Sequence, residues 1–306
     1  MCGIVGFLDK HNQGPLGKTL LAMLQALSCR GPDSAGVALF GPPAGWLLRV
    51  KLPEGKDPKA AADAILAVSH ESGSVLRHEI VGAYLRVELD LAADVSTLEE
   101  CLLQRMPGSE VVSLGKQLEI VKQVGSPEQL EAAYAISKKS GSHGIGHTRL
   151  STESRVDLSH SQPFWAHGVP DLATVHNGHI TNYNKLRRLY EQKGYRFFTE
   201  NDSEVIGVYL RERMAAGLSL VDALRSSLDD FDGSFSYLAA SGDTLAFVKD
   251  RFGFKPLMVA ETDAFVAIAT EEIALRQALG TGFVAREPAP GSLQIWSVPA
   301  VQPIPA

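Results

Sequence analysis

The chain has 306 residues, of which 45% are hydrophobic and 21% charged, and its net charge is −6. That composition fits a soluble globular protein with enough apolar material for a large core. It holds no extended basic run that would suit nucleic acid or an anionic membrane surface, no apolar stretch near the ~20 residues of a membrane span, and no basic leader of the secretory kind.

Gly3 to Leu8 is a short apolar run ended by Asp9-Lys10 and reads as a buried strand. Leu16, Leu20, Met23, Leu24 and Leu27 recur at helical spacing, with Pro15 at the start and Gly31-Pro32 past the end. Ala35 to Phe40 predicts another strand, and Gly41-Pro42-Pro43 breaks it. From 42 to 140 the pattern predicts strands at 46–50, 82–89 and 117–122, and helices at 58–68, 98–105 and 127–137. This is an α/β insertion of about a hundred residues, too long for a plain loop. Strands follow at 142–148 and 172–176, then helices at 183–193, 203–216 and 220–228. The last part predicts strands at 235–240, 244–248, 257–260 and 264–269, a helix at 271–279, and strands near 283–285 and 293–296. Strands gathered at both ends with helices between them indicate an α+β fold of layered sheets covered by helices.

Cys2 carries the most chemistry. With Met1 removed it would hold a thiol and a free α-amine on one residue. An α-amine with a pKa of about 7.7–8.0 suits a general base at working pH. Nucleophile and base on one terminal residue is the logic of N-terminal nucleophile hydrolases; the plain alternative is a small residue near a chain end. The three cysteines, Cys2, Cys29 and Cys101, are odd in number and far apart. That argues against a disulfide framework and for a reducing, cytoplasmic setting. Cys29 ends an apolar helix and reads as a packed thiol.

Polar and glycine-rich clusters sit at the ends of the predicted strands. They are Arg30-Gly31-Pro32-Asp33-Ser34-Ala35-Gly36, Gly146-His147-Thr148-Arg149-Leu150-Ser151, Gln162-Pro163-Phe164, His176-Asn177-Gly178, Asn201-Asp202-Ser203-Glu204, Asp232-Gly233 and 249–257. Asn-Gly after a strand reads locally as a hairpin turn, and Asp202 reads locally as a helix cap. His143 and His147, and His176 and His179, are tested as zinc pairs. They lie on strand and turn with no Cys pair or Glu at zinc spacing, so no metal is expected. No P-loop or G-x-G-x-x-G offers a seat for ATP, NAD or FAD.

In this order, behind Met1-Cys2-Gly3-Ile4-Val5-Gly6, the clusters resemble the class II glutamine amidotransferases. The resemblance covers about 1–40 and 142–280, and leaves 42–140 without a motif. Within that family, the size, the long insertion and the stretch Asp250 to Leu257 are together most similar to stand-alone amidotransferase subunits of the glutamate-synthase type, such as that of N-methylglutamate synthase. The resemblance implies the four-layer αββα sandwich of N-terminal nucleophile hydrolases, with two mainly antiparallel sheets, as one domain over 1–306 with the insertion inside it.

It also implies L-glutamine as substrate, Cys2 as nucleophile, and the Asn177 amide with the Gly178 N–H as oxyanion donors. Arg149 would hold the α-carboxylate and Asp202 the α-ammonium. Their structural alternatives are an ion pair and a helix cap. Arg30 and Asp33 would hold the N-terminal strand in place. The chain runs on only to a proline-rich tail, Val298-Pro299 to Pro305-Ala306, with no room for an acceptor domain of ~150 residues. A synthase site on partner subunits of a hetero-oligomer is therefore expected, with FMN and iron–sulfur clusters there and no cofactor here. The competing readings are a stand-alone γ-glutamyl amidohydrolase and a catalytically silent regulatory subunit.

Overall fold

The computed structural model describes residues 2–11, 14–42, 45–151 and 155–298. Met1, Pro43 and the proline-rich tail from Pro299 lie outside the described residues. The order begins β1 (Gly3–Asp9), α1 (Leu16–Ala26), a 3₁₀ turn at Ser28–Arg30, β2 (Ser34–Phe40), β3 (Trp46–Lys51), α2 (Pro58–Ser72), β4 (Gly73–Val81) and β5 (Tyr84–Leu91). It continues with α3 (Val95–Arg105), β6 (Glu110–Gly115), β7 (Leu118–Val124), α4 (Pro127–Tyr134), β8 (His143–Arg149), β9 (Phe164–Trp165), β10 (Ala173–Ile180), α5 (Tyr183–Gln192), α6 (Glu204–Ala215) and α7 (Leu220–Asp230). It closes with β11 (Gly233–Ser241), β12 (Thr244–Lys249), β13 (Met258–Glu261), β14 (Phe265–Ala269), α8 (Glu272–Leu279), β15 (Ala285–Arg286) and β16 (Leu293–Ser297).

Two antiparallel sheets face each other. The seven-stranded sheet runs β15-β13-β14-β1-β8-β2-β7, and the five-stranded sheet runs β16-β12-β11-β10-β9. Helices α1 and α8 cover the outer face of the first, and α6 and α7 cover the second, which gives the layer order αββα. Strands β1, β2 and β8 are buried along their whole length because one face meets helices and the other meets a sheet. Gly6 marks how close the sheets come, since a Cβ there would meet Leu238 Cδ1 at 3.0 Å. One apolar cluster fills the space between the sheets and under α1; a second, around Tyr209, Phe235 and Tyr237, fills the layer under α5, α6 and α7.

Local chemistry sets the helix starts. Asp57 accepts the Ala60 N–H at 3.0 Å ahead of Pro58, and Asp94 accepts the Ser96 N–H at 2.9 Å. Ser126 and Gln129 close a capping box on α4.

The segment 42–140 divides between two sheets. Strands β3 to β6 form a separate sheet in the order β4-β5-β3-β6, whereas β7 pairs with β2 along Ser34↔Val124 to Phe40↔Leu118 and completes the main sheet. The fully buried Leu118, Ile120 and Val121 explain why β7 joins the core. Glu119 on β7 ties the sheets together: it pairs with Arg49 of β3, with Lys139 at 2.8 Å and with Arg86 of β5 at 3.3 Å. Cys29 is exposed rather than packed, because it lies in the 3₁₀ turn beyond α1.

Candidate active site

Cys2 immediately precedes β1, whose pairing with β8 places Gly3 opposite Thr148. This register brings the N-terminal end of β1 beside the C-terminal end of β8, where Arg149 and Leu150 lie. The Cys2 Sγ points at the Leu150 carbonyl at 3.8 Å. Burial pushes the Cys2 thiol above its ordinary value; the nearby Arg149 guanidinium pulls the other way and the Asp202 carboxylate adds to the rise.

A cleft of about 490 Å³ opens here, lined by Cys2, Arg149, Gln162, His176, Gly178, His179, Tyr183 and Asp202, among others. Clefts of about 560 and 740 Å³ lie elsewhere, and neither is lined by a cysteine. The 490 Å³ cleft brings together residues 2, 149, 178 and 202 from four separate stretches of sequence.

Asn177 and Gly178 lie within β10, paired to Ser236 and Phe235 of β11, so the dipeptide is strand and not a hairpin turn. Asn177 is 3% exposed and its side-chain Nδ2 has no hydrogen-bond partner. Buried amides nearly always find an acceptor, and this unused donor sits between His176 and Gly178, which both line the cleft although Asn177 itself does not. Gly178 has φ +138°, and a Cβ there would meet the Ser234 carbonyl at 2.3 Å. Only glycine fits that backbone at that distance.

Arg149 is 3% exposed and donates from Nη1 to the Arg155 carbonyl at 2.8 Å. Asp202 accepts the Ile180 N–H at 2.9 Å through Oδ2. Its carboxylate therefore holds the end of β10 instead of capping α6, whose cap position is Ser203.

Arg30 reaches the backbone of Cys2, donating from Nε to its carbonyl at 3.4 Å, and pairs with Glu271. Asp33 holds a different segment: it accepts the Ser151 N–H at 2.7 Å, and its own N–H donates to the Arg149 carbonyl at 3.0 Å.

Beneath the cleft lies a polar bed. Gln162 accepts the His176 N–H at 2.6 Å and donates to Ser203 Oγ at 3.1 Å, and Ser203 Oγ bonds His176 Nδ1 at 2.8 Å. His147 donates from Nε2 to the His176 carbonyl at 3.1 Å, and His143 donates to the Ser241 carbonyl at 2.6 Å. Burial holds both rings well below the usual histidine range, at about 3 for His147 and about 4 for His143. Gln162 lies in a cluster visible in the sequence, but its role depends on partners remote in the chain.

The chain matches the glutamine amidotransferase domain family over residues 147–277. It is 33% identical to a putative glutamine amidotransferase of Methanothermobacter thermautotrophicus, across 97% of this chain and 100% of that protein. The chain belongs to the glutamine amidotransferases. This amidotransferase is also 36% identical to the glutamine amidotransferase-like protein GlxB of Rhizobium meliloti, over 90% of its own length and 91% of that protein. Its fold is that of the glutamine phosphoribosylpyrophosphate amidotransferase of B. subtilis solved with ADP and GMP, at TM-score 0.63 and 19% identity. That likeness covers 96% of the amidotransferase chain but 47% of the solved one, so the chain spans about half the length of that structure. The αββα sandwich is thus the N-terminal nucleophile fold. Among its described residues no helix is long and apolar enough to cross a membrane.

Proposed function

We propose that this amidotransferase hydrolyses the side-chain amide of L-glutamine through a thioester on Cys2. The observation that carries the reading is the buried Asn177 Nδ2, which lacks an acceptor beside a cleft that holds Cys2 and Gly178. A tetrahedral oxyanion supplies the missing acceptor, with the Gly178 N–H as second donor.

With Met1 absent, the Cys2 amine takes the thiol proton. That step matters because burial keeps the free thiol protonated. The thiolate forms a C–S bond to the amide carbon. Collapse of the oxyanion breaks the C–N bond, and the amine's proton leaves with ammonia. Water then cleaves the thioester to glutamate and restores the thiol. Arg149 offers a planar fork to the α-carboxylate, which a lysine cannot match, and Asp202 accepts the α-ammonium. Arg30 steadies the Cys2 backbone.

The ammonia serves a synthase site on partner subunits of the glutamate-synthase or N-methylglutamate-synthase type, where FMN and iron–sulfur clusters would reside. Purification of the native complex, with glutaminase assays and a survey of bound flavin and iron, tests both parts. Glutaminase activity that rises with flavin- and iron-bearing partners is expected. A chain that runs alone, with glutaminase indifferent to every companion, contradicts the partner role. No glutamine hydrolysis in any state contradicts the enzyme itself.

A further inference from the structure

We propose that His160 is a positioning residue that fastens the two halves of the head-group clamp to each other. This deepens the glutaminase reading above and rests on it. Arg149 and Asp202 come from different stretches of chain, and each is held through a short segment beside it. Arg149 donates to the carbonyl of Arg155, which opens the turn 155–161. Asp202 follows Glu200 and Asn201 directly. His160 joins these two segments.

The ring is 5% exposed and bonded at both nitrogens, Nδ1 to Asp157 Oδ1 at 2.8 Å and Nε2 to Glu200 Oε2 at 3.0 Å. The ring thus bridges two carboxylates, one on the turn that follows Arg149 and one beside Asp202. The His160 bond holds the Glu200 carboxyl below its usual range. At Asp157 burial pushes upward, but the backbone and ring bonds from His160 prevail and hold that carboxyl low as well.

The backbone repeats the join, since Asn201 Nδ2 donates to the His160 carbonyl at 2.8 Å. On the far side, Lys51 of β3 donates to Ser159 Oγ at 2.6 Å, so the turn is also anchored to the separate four-stranded sheet. His160 does not line the cleft. It acts through the spacing of Arg149 and Asp202, which must match the fixed separation of a carboxylate and an ammonium on one α-carbon. Small errors in such placement weaken binding without changing the reacting groups.

The test replaces His160 by phenylalanine, which keeps a ring and removes both nitrogens, and by glutamine, which keeps one amide group. Steady-state glutaminase kinetics are combined with two alkylating probes of Cys2. One is a γ-diazoketone analogue of glutamine, which needs the head-group clamp; the other is iodoacetamide, which does not, with its adduct counted on the Cys2 peptide because Cys29 is exposed as well. For His160→Phe the KM for glutamine should rise about tenfold with kcat within about twofold, for His160→Gln the rise should be smaller, and the diazoketone should need about tenfold more concentration. The iodoacetamide rate should stay at the wild-type value. An unchanged KM in His160→Phe overturns the proposal. So does a parallel loss with both probes, which would mean that the Cys2 environment itself had shifted. Wild-type protein that neither hydrolyses glutamine nor reacts with the diazoketone would instead overturn the underlying glutaminase reading, and this proposal with it.

Discussion

The Asp202 carboxylate accepts the backbone N–H of Ile180 at 2.9 Å, which ties the group proposed to bind the α-ammonium to the end of the strand that carries Asn177 and Gly178. Two replacements separate its structural and binding roles. Asp202→Asn keeps an oxygen for the Ile180 N–H but loses the charge. It should raise the KM for glutamine at least tenfold while leaving the melting temperature close to wild type. Asp202→Ala loses both and should also destabilise the fold by about 1–3 kcal/mol, the cost of an unpaired N–H. Kinetics and thermal denaturation on the pair read the two effects separately.

Asn177 should act on the rate and not on affinity. In the proposed reaction its free Nδ2 would meet full negative charge only in the tetrahedral state. Asn177→Ala should therefore lower kcat about 10²–10³-fold, corresponding to about 3–4 kcal/mol, with KM changed only a few-fold. Equal loss in kcat and in glutamine affinity would place Asn177 in ground-state binding instead.

The separate sheet depends on a buried charge. Glu119 lies under Arg49, Lys139 and Arg86. Burial alone would raise its carboxyl, but Arg49 and Lys139 overcome that and hold it at about 2. Glu119→Gln leaves Arg49, 1% exposed, without its counter-charge. Breaking a buried pair from one side costs about 3–5 kcal/mol, so the denaturation midpoint should fall accordingly. A loss below about 1 kcal/mol would show that Arg49 finds water or another partner.

Much of the scaffold is legible in the chain because its strands are short apolar runs between turn residues. The predicted strands at 3–8, 35–40, 142–148 and 244–248 lie within one residue of β1, β2, β8 and β12 at each end. What the pattern does not carry is partnership. The strand at 117–122 is visible as a strand, but nothing local says that it leaves the insertion to pair with β2. Strand β4 escapes because it lies at a sheet edge with most side chains in solvent, so no alternation appears. Strand β10 is longer than predicted because Asn177-Gly178 mimics a turn and only the pairing to β11 continues it. The cleft residues stand out in their clusters, while His160 does not, because its partners Glu200 and Asn201 are some forty positions away.

Acid should weaken the fold through its buried histidines. His143 and His147, at about 4 and about 3, stay neutral in the folded chain over most of the acid range. In the unfolded chain they protonate near the ordinary value of about 6.5. The unfolded state then binds more protons, so stability falls as pH drops from about 6.5 toward those values, by up to about 1.4 kcal/mol per pH unit for each ring. Denaturation curves between pH 7 and 5 should show this slope, and His147→Gln should reduce it by about one proton. An unchanged slope in that variant would mean that the folded ring protonates freely.

The central claim is that Cys2, freed of Met1, forms a covalent bond to glutamine. Acid-quenched mass spectrometry of the protein caught during turnover tests it most directly. The expected result is a single glutamyl adduct on a peptide that begins at Cys2, absent from Cys2→Ser, with turnover in that variant severely reduced and the fold intact. Undiminished turnover by Cys2→Ser, or full activity from protein that retains Met1, would contradict it.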